Sequence, residues 1–122
     1  MINTPTCNNC KELNKYLPIL AEEFYRVNKV HGDIFKAKFN HDEIMLGCDV
    51  YNFYPAPTLE ELLKVSPMQI SIDAMPSKPE FKQNQGWYNI NSNDKLIYQI
   101  PKSENICDKI AELIIKYYKE LK

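Results

Sequence analysis

Cys7 and Cys10 form a Cys-Asn-Asn-Cys pair, a spacing that can hold a metal ion or cycle through a disulfide. A structural zinc site drawing on this pair and two of His31, His41 and Cys48 would tie the N-terminus to the middle of the chain and supply folding free energy. The expected ligand set is Cys7, Cys10, His41 and Cys48. No second close cysteine pair and no His-x₃₋₅-His follows, so the other half of such a site is thin. Without metal, Cys7 and Cys10 read as accessible thiols near a frayed end, and Cys48 and Cys107 as small buried hydrophobes.

His41-Asp42-Glu43 sets an imidazole beside two carboxylates, but adjacent residues rarely converge on one substrate, and the segment reads as a solvated loop. Only three glycines are present, too few and too scattered for a phosphate-cradling loop, and nothing resembles a nucleophile elbow. No catalytic residues are assigned, and an enzyme is the least favoured class.

Aromatic residues offer a different chemistry. Trp87, Tyr88 and Tyr98, with Tyr51, Phe53 and Tyr54, are too many for one sheet face to hide, because neighbours on a strand point to opposite sides. Exposed tyrosine and tryptophan give large contact area at small entropic cost. Arg26 is the only arginine in the chain, and its guanidinium is the group best suited to bidentate recognition. The expected binding residues are Arg26, Tyr51, Tyr54, Trp87, Tyr88 and Tyr98, on a module that engages a host or phage protein. A second reading is a sequestering protein in which Arg26, Lys36 or Lys38 and the hairpin aromatics hold a nucleotide-like small molecule, with a pocket between protomers of a homo-oligomer. A zinc-stabilised assembly protein is a third.

Bulk properties narrow the field. The 122 residues suit a single domain, and 44% hydrophobic with 11% aromatic residues can form a packed interior. A net charge of -1 carries no general attraction to phosphate backbones or anionic lipid, so neither a nucleic-acid nor a membrane partner is expected. No apolar run is long enough to span a bilayer, and the first residues lack the pattern of a secretory signal. Four cysteines in such a chain are expected to be free in a reducing, cytoplasmic setting.

Residues 1–6 read as a flexible tail. From Asn8 to about Asn28 the spacing of Leu13, Tyr16, Leu17, Leu20, Phe24 and Val27 is helical, with a break or kink at Pro18. Ile34 to Phe39 alternates as a half-buried strand, and Ile44 to Cys48 reads as its hairpin partner. Tyr54-Pro55-Ala56-Pro57 forces an extended approach to a helix that Thr58 and Glu61 close with a capping box and Pro67 bounds. Met68 to Asp73 alternates as a strand, a polar loop covers Pro76 to Gln85, and Trp87–Ile90 and Leu96–Ile100 form a hairpin about a five-residue turn. Ser103 is placed to cap a last helix with the stripe Ile106, Ile110, Leu113, Ile114, Tyr117 and Leu121. The expected class is α+β: a mostly antiparallel sheet of four or five short strands, N- and C-terminal helices packed on one face, and the capped helix as a crossover.

The box Tyr54-Pro55-Ala56-Pro57-Thr58 before Leu59-Glu60-Glu61-Leu62-Leu63, with strands, a Gly86-Trp87-Tyr88 hairpin and an amphipathic last helix behind it, resembles a loose family of small uncharacterised accessory proteins of phages, prophages and gut-bacterial mobile elements. The resemblance spans roughly residues 48–121 and implies a phage or mobile-element accessory protein. The family has no agreed activity, so no functional residue is carried over. At the other end, Pro5-Thr6-Cys7-Asn8-Asn9-Cys10 superficially resembles the thioredoxin active-site helix, yet only six residues precede Cys7, too few for the strand that fold requires.

Overall fold

The break expected at Pro18 separates a helix from a strand. The computed structural model describes residues 4–75, 86–102 and 104–121. Helix α1 (Cys7–Tyr16) stops short of Pro18, and Glu23–Asn28 forms β1 where the apolar spacing predicts continued helix. Phe24, Tyr25 and Val27 favour an extended backbone, and strands pair with β1 along both edges, so tertiary pairing overrides the helical spacing.

Strand β2 (Ile34–Lys38) matches its expectation, but the segment after it is helix α2 (His41–Gly47) and not a hairpin partner. Asn40 decides this: its side chain accepts from the Glu43 amide at 2.8 Å while Glu43 accepts from the Asn40 amide at 3.2 Å, a capping box that converts the turn into a helix start. Strand β3 (Tyr51–Ala56) supplies the extended approach, and α3 (Leu59–Val65) follows with the predicted Thr58–Glu61 box. The strands β4 (Ile70–Met75), β5 (Trp87–Ser92) and β6 (Lys95–Pro101) and the helix α4 (Ile106–Glu120) complete the described elements.

The α+β class with antiparallel pairing holds, but among the described residues six strands divide into two three-stranded sheets, ordered β2-β1-β3 and β4-β5-β6, where one sheet of four or five is expected. Helix α3 is the crossover between them. The β5–β6 turn is tighter than expected: Asn93 and Asp94, at φ 51° and 66°, make a two-residue connection. Positive φ at both central positions is what a right-twisted hairpin demands, and Asn and Asp tolerate it. Asn105, not Ser103, caps α4 by accepting from the Asp108 amide at 3.2 Å. Ser103 and the Pro76–Gln85 loop lie outside the described residues.

The main core lies between the β4-β5-β6 sheet, α3, α4 and α1, with Leu13, Leu62, Ile90, Ile110 and Ile114 fully buried. Helix α4 buries more than its predicted stripe. Cys107, Ala111 and Ile115 are buried as well, because α1 and α3 pack on it beside the sheet, whereas Leu121 ends up exposed.

Part of the expected tail is anchored. Thr4 is 1% exposed, Pro5 is fully buried, and Asp108 Oδ1 accepts from the Thr6 amide, Thr6 Oγ1 and Asn9 Nδ2 at 2.8, 3.0 and 2.7 Å. Asn105 Nδ2 adds a bond to the Thr4 carbonyl at 2.9 Å. These bonds fasten the start of α1 to the start of α4, and the same segment then covers one face of the β2-β1-β3 sheet. Tyr25 Oη donates to the Pro5 carbonyl at 2.6 Å and Lys36 Nζ to Thr4 Oγ1 at 2.9 Å. The opposite face of that sheet carries the candidate site.

Candidate functional site

Side chains alternate across a strand, so the register of β1 decides what surrounds Arg26. On β1, Tyr25 faces α1 and Arg26 faces away from it; across the sheet Arg26 stands opposite Phe35 on β2 and Phe53 on β3. The guanidinium carbon lies 4.3 Å from the Tyr51 ring centroid, 5.1 Å from Phe35 and 5.6 Å from Phe39. The rings brace one another edge to face: Phe39 with Phe53 at 5.3 Å, Phe35 with Phe39 at 6.3 Å and Tyr51 with Phe53 at 6.3 Å. Helix α2 closes one side, approaching so tightly that a Cβ at Gly47 would sit 3.1 Å from the Phe53 ring.

This cage is electrostatically incomplete. Ring faces attract a cation by roughly 0.5–2 kcal/mol but accept no directional fork of hydrogen bonds. Arg26 Nε is sealed from solvent with no acceptor, an omission that typically costs about 1–3 kcal/mol. The two terminal nitrogens have no acceptor among the described residues and, unlike Nε, are not fully sealed. No described carboxylate comes within ion-pair distance; the pairs that form are Lys15–Glu12, Lys38–Glu22, Lys64–Glu60 and Lys109–Glu112. The nearby Lys29 is committed to the Cys48 carbonyl at 2.6 Å.

Apolar side chains lie exposed around the same end of the sheet. Phe35 is 52% exposed, and Met45, Leu46 and Val50 on α2 and the loop after it are exposed too, whereas exposed Ile34 alternates onto the other face of β2. The Lys29 amide donates to the Val50 carbonyl at 3.0 Å, which draws that loop against the β1 end.

Of the six expected binding residues, only Arg26 and Tyr51 come together. Tyr54 lies on the opposite face, with Lys11 Nζ 5.6 Å above its ring. Tyr88 and Tyr98 pack against the core from the other sheet, and Trp87 donates from its indole to Asn89 at 3.0 Å on that sheet's far side. The nucleotide-like pocket of Arg26 with Lys36 or Lys38 and the hairpin is likewise not assembled, since both lysines alternate onto the face away from Arg26. Phe35, Phe39 and Phe53 are the site residues that the expected set lacks. Their signal was the period-two placement of Phe35 and Phe39 on one strand and of Tyr51 and Phe53 on another, which puts each pair on one face.

Cys10 and Cys48 depart from their expected exposure, whereas Cys107 is buried as expected. Cys10 is 1% exposed and its Sγ lies 3.8 Å from the Pro5 carbonyl, while Cys48 is exposed and Cys107 buried. Burial pushes the Cys10 thiol up to about 12 and the Cys107 thiol up to about 11, and raises Cys7 as well. A redox helix needs the reverse, a first thiol lowered toward thiolate. No group of three or more His, Cys, Asp or Glu among the described residues can hold a metal, so Cys7, Cys10, His41 and Cys48 are not gathered as a ligand set. His41 and Asp42 are exposed on the first turn of α2, and the Glu43 carboxylate is occupied in the capping box.

No described helix is long and apolar enough to cross a membrane. Comparison with known proteins finds no matching family model, curated protein or solved structure.

Proposed function

We propose that this chain is a non-catalytic binding module, a phage or mobile-element accessory protein that acts in the host cytoplasm by holding a host or phage protein against the Arg26 face of the β2-β1-β3 sheet. Inhibition of a host system is the mode of action that fits a small module without catalytic groups. The observation that carries the reading is a cation caged by Phe35, Phe39 and Tyr51 with no acceptor among the described residues, on a face rimmed by exposed apolar side chains. Aromatic and arginine side chains are the types enriched at the energetic centres of protein interfaces, and contiguous exposed apolar surface on a small monomer marks interaction sites.

A photo-crosslinking residue placed at Phe35, expressed in the native host, tests this against the same residue placed at Leu96 on the other sheet, a position of similar exposure, 53% against 52%. A discrete adduct from position 35 and none from position 96 is the expected result. Adducts from position 96 alone, or the same adducts from both, overturn it.

A further inference from the structure

Resting on the reading of the Arg26 face as a protein-binding surface, we infer that its specificity lies in one carboxylate: the partner presents an aspartate or glutamate, flanked by apolar residues, to the open end of the Arg26 guanidinium. The unsatisfied donors ask for an anion. Nε is sealed and out of a partner's reach, while the two terminal nitrogens bond to no described residue and are not sealed, so they form the accessible edge of a guanidinium stacked among the rings. Guanidinium matches carboxylate with parallel hydrogen bonds, and a planar donor fixed before binding loses little freedom on forming them.

Charge and shape favour a carboxylate over a phosphate. A phosphate near neutrality carries up to two negative charges and normally collects several donors or a second cation. Among the described residues no second cation stacks on these rings: Lys36 and Lys38 alternate to the other side of β2, and Lys29, which keeps its charge, is directed at the Cys48 carbonyl. One monovalent cation suits one monovalent anion. The surroundings set the flanks of the partner. Phe35, with Met45, Leu46 and Val50 on α2 and the loop after it, offers apolar surface, which rewards burial of hydrophobic side chains next to the acid and penalises a strongly hydrated polyanion.

Because the chain has a single arginine, its Nε–Hε group gives one arginine side-chain signal in a ¹⁵N-correlated NMR spectrum, slowed in exchange by its sealed position. The probes are terminally blocked Leu-Glu-Leu and Leu-Gln-Leu peptides and inorganic phosphate, titrated separately into the full chain. Leu-Glu-Leu should shift the Arg26 signal saturably, at least about tenfold more tightly than Leu-Gln-Leu, a ratio expected for loss of one charge-assisted fork. Phosphate should move it less at equal concentration. Arg26→Lys, which keeps the charge and loses the fork, should bind Leu-Glu-Leu more weakly with the rest of the spectrum preserved. Equal binding of the two peptides, a larger response to phosphate, or no response to any probe overturns the inference. The two readings fail separately: crosslinking at position 35 that survives Arg26→Gln discards the carboxylate and keeps the face.

Discussion

At the scale of single residues, the molecule separates groups that are satisfied from groups that are not. Among the described residues Arg26 is the buried unsatisfied one, and its strand position could be read from the sequence only after Glu23–Asn28 is recognised as β rather than helix. The aromatic partners Phe35 and Phe39 are legible as one side of an alternating strand; their convergence with Tyr51 and Phe53 depends on sheet order, which local spacing does not encode. The thiols show the converse. Cys10 and Cys107 are packed as neutral groups, with pKa values raised from 9.0 to about 12 and about 11 by burial. The folded chain therefore favours the protonated thiol. That contribution is complete below the unfolded pKa near 9.0 and is lost as pH climbs through the raised values. Two outcomes follow. Iodoacetamide at mildly alkaline pH should label exposed Cys48 first and reach Cys10 and Cys107 only on unfolding, as read by mass spectrometry. The stability advantage of wild type over Cys10→Ala, from urea midpoints, should shrink between about pH 9 and 12; an unchanged difference contradicts the buried neutral thiol.

Among the elements, two capping boxes of the same chemistry have different consequences. The Thr58 box was legible because prolines isolate it and leucines follow at helical spacing. The Asn40 box was missed because Ile44, Met45 and Leu46 form a short apolar run that fits a strand equally well. Helix α3 delivers fully buried Leu62 to the core, so Thr58→Ala should lower global stability by about 1 kcal/mol. Helix α2 contains no buried residue, so Asn40→Ala should leave the denaturation midpoint nearly unchanged while speeding amide exchange across residues 41–47. Chemical denaturation and hydrogen exchange on the two variants check this pair. A larger global loss from Asn40→Ala would show that α2 supports the fold and not merely the rim of the Arg26 cage.

For the whole molecule, the organising fact is that the N-terminal segment and α1 separate two sheets of unlike fate. One sheet turns its apolar face to α4 and disappears into the core. Among the described residues the other is covered on one face, by Thr4, Pro5 and α1, and keeps an arginine and a cluster of rings on the other. The class and nearly all the element positions from Tyr51 onward were legible from alternation, prolines and caps, whereas the division into two sheets was not, because strand pairing is a long-range choice. The central claim is that the arginine-bearing face, and not the hairpin with Trp87, is the working surface. It is tested most directly by the affinity of the partner crosslinked at position 35 for two variants, Phe35→Ser and Trp87→Ser, each first shown to keep the wild-type denaturation midpoint. The account predicts a loss of at least about tenfold for Phe35→Ser, the scale of an interface hot spot, and a change within about twofold for Trp87→Ser. The reverse order, or equal losses, would contradict it.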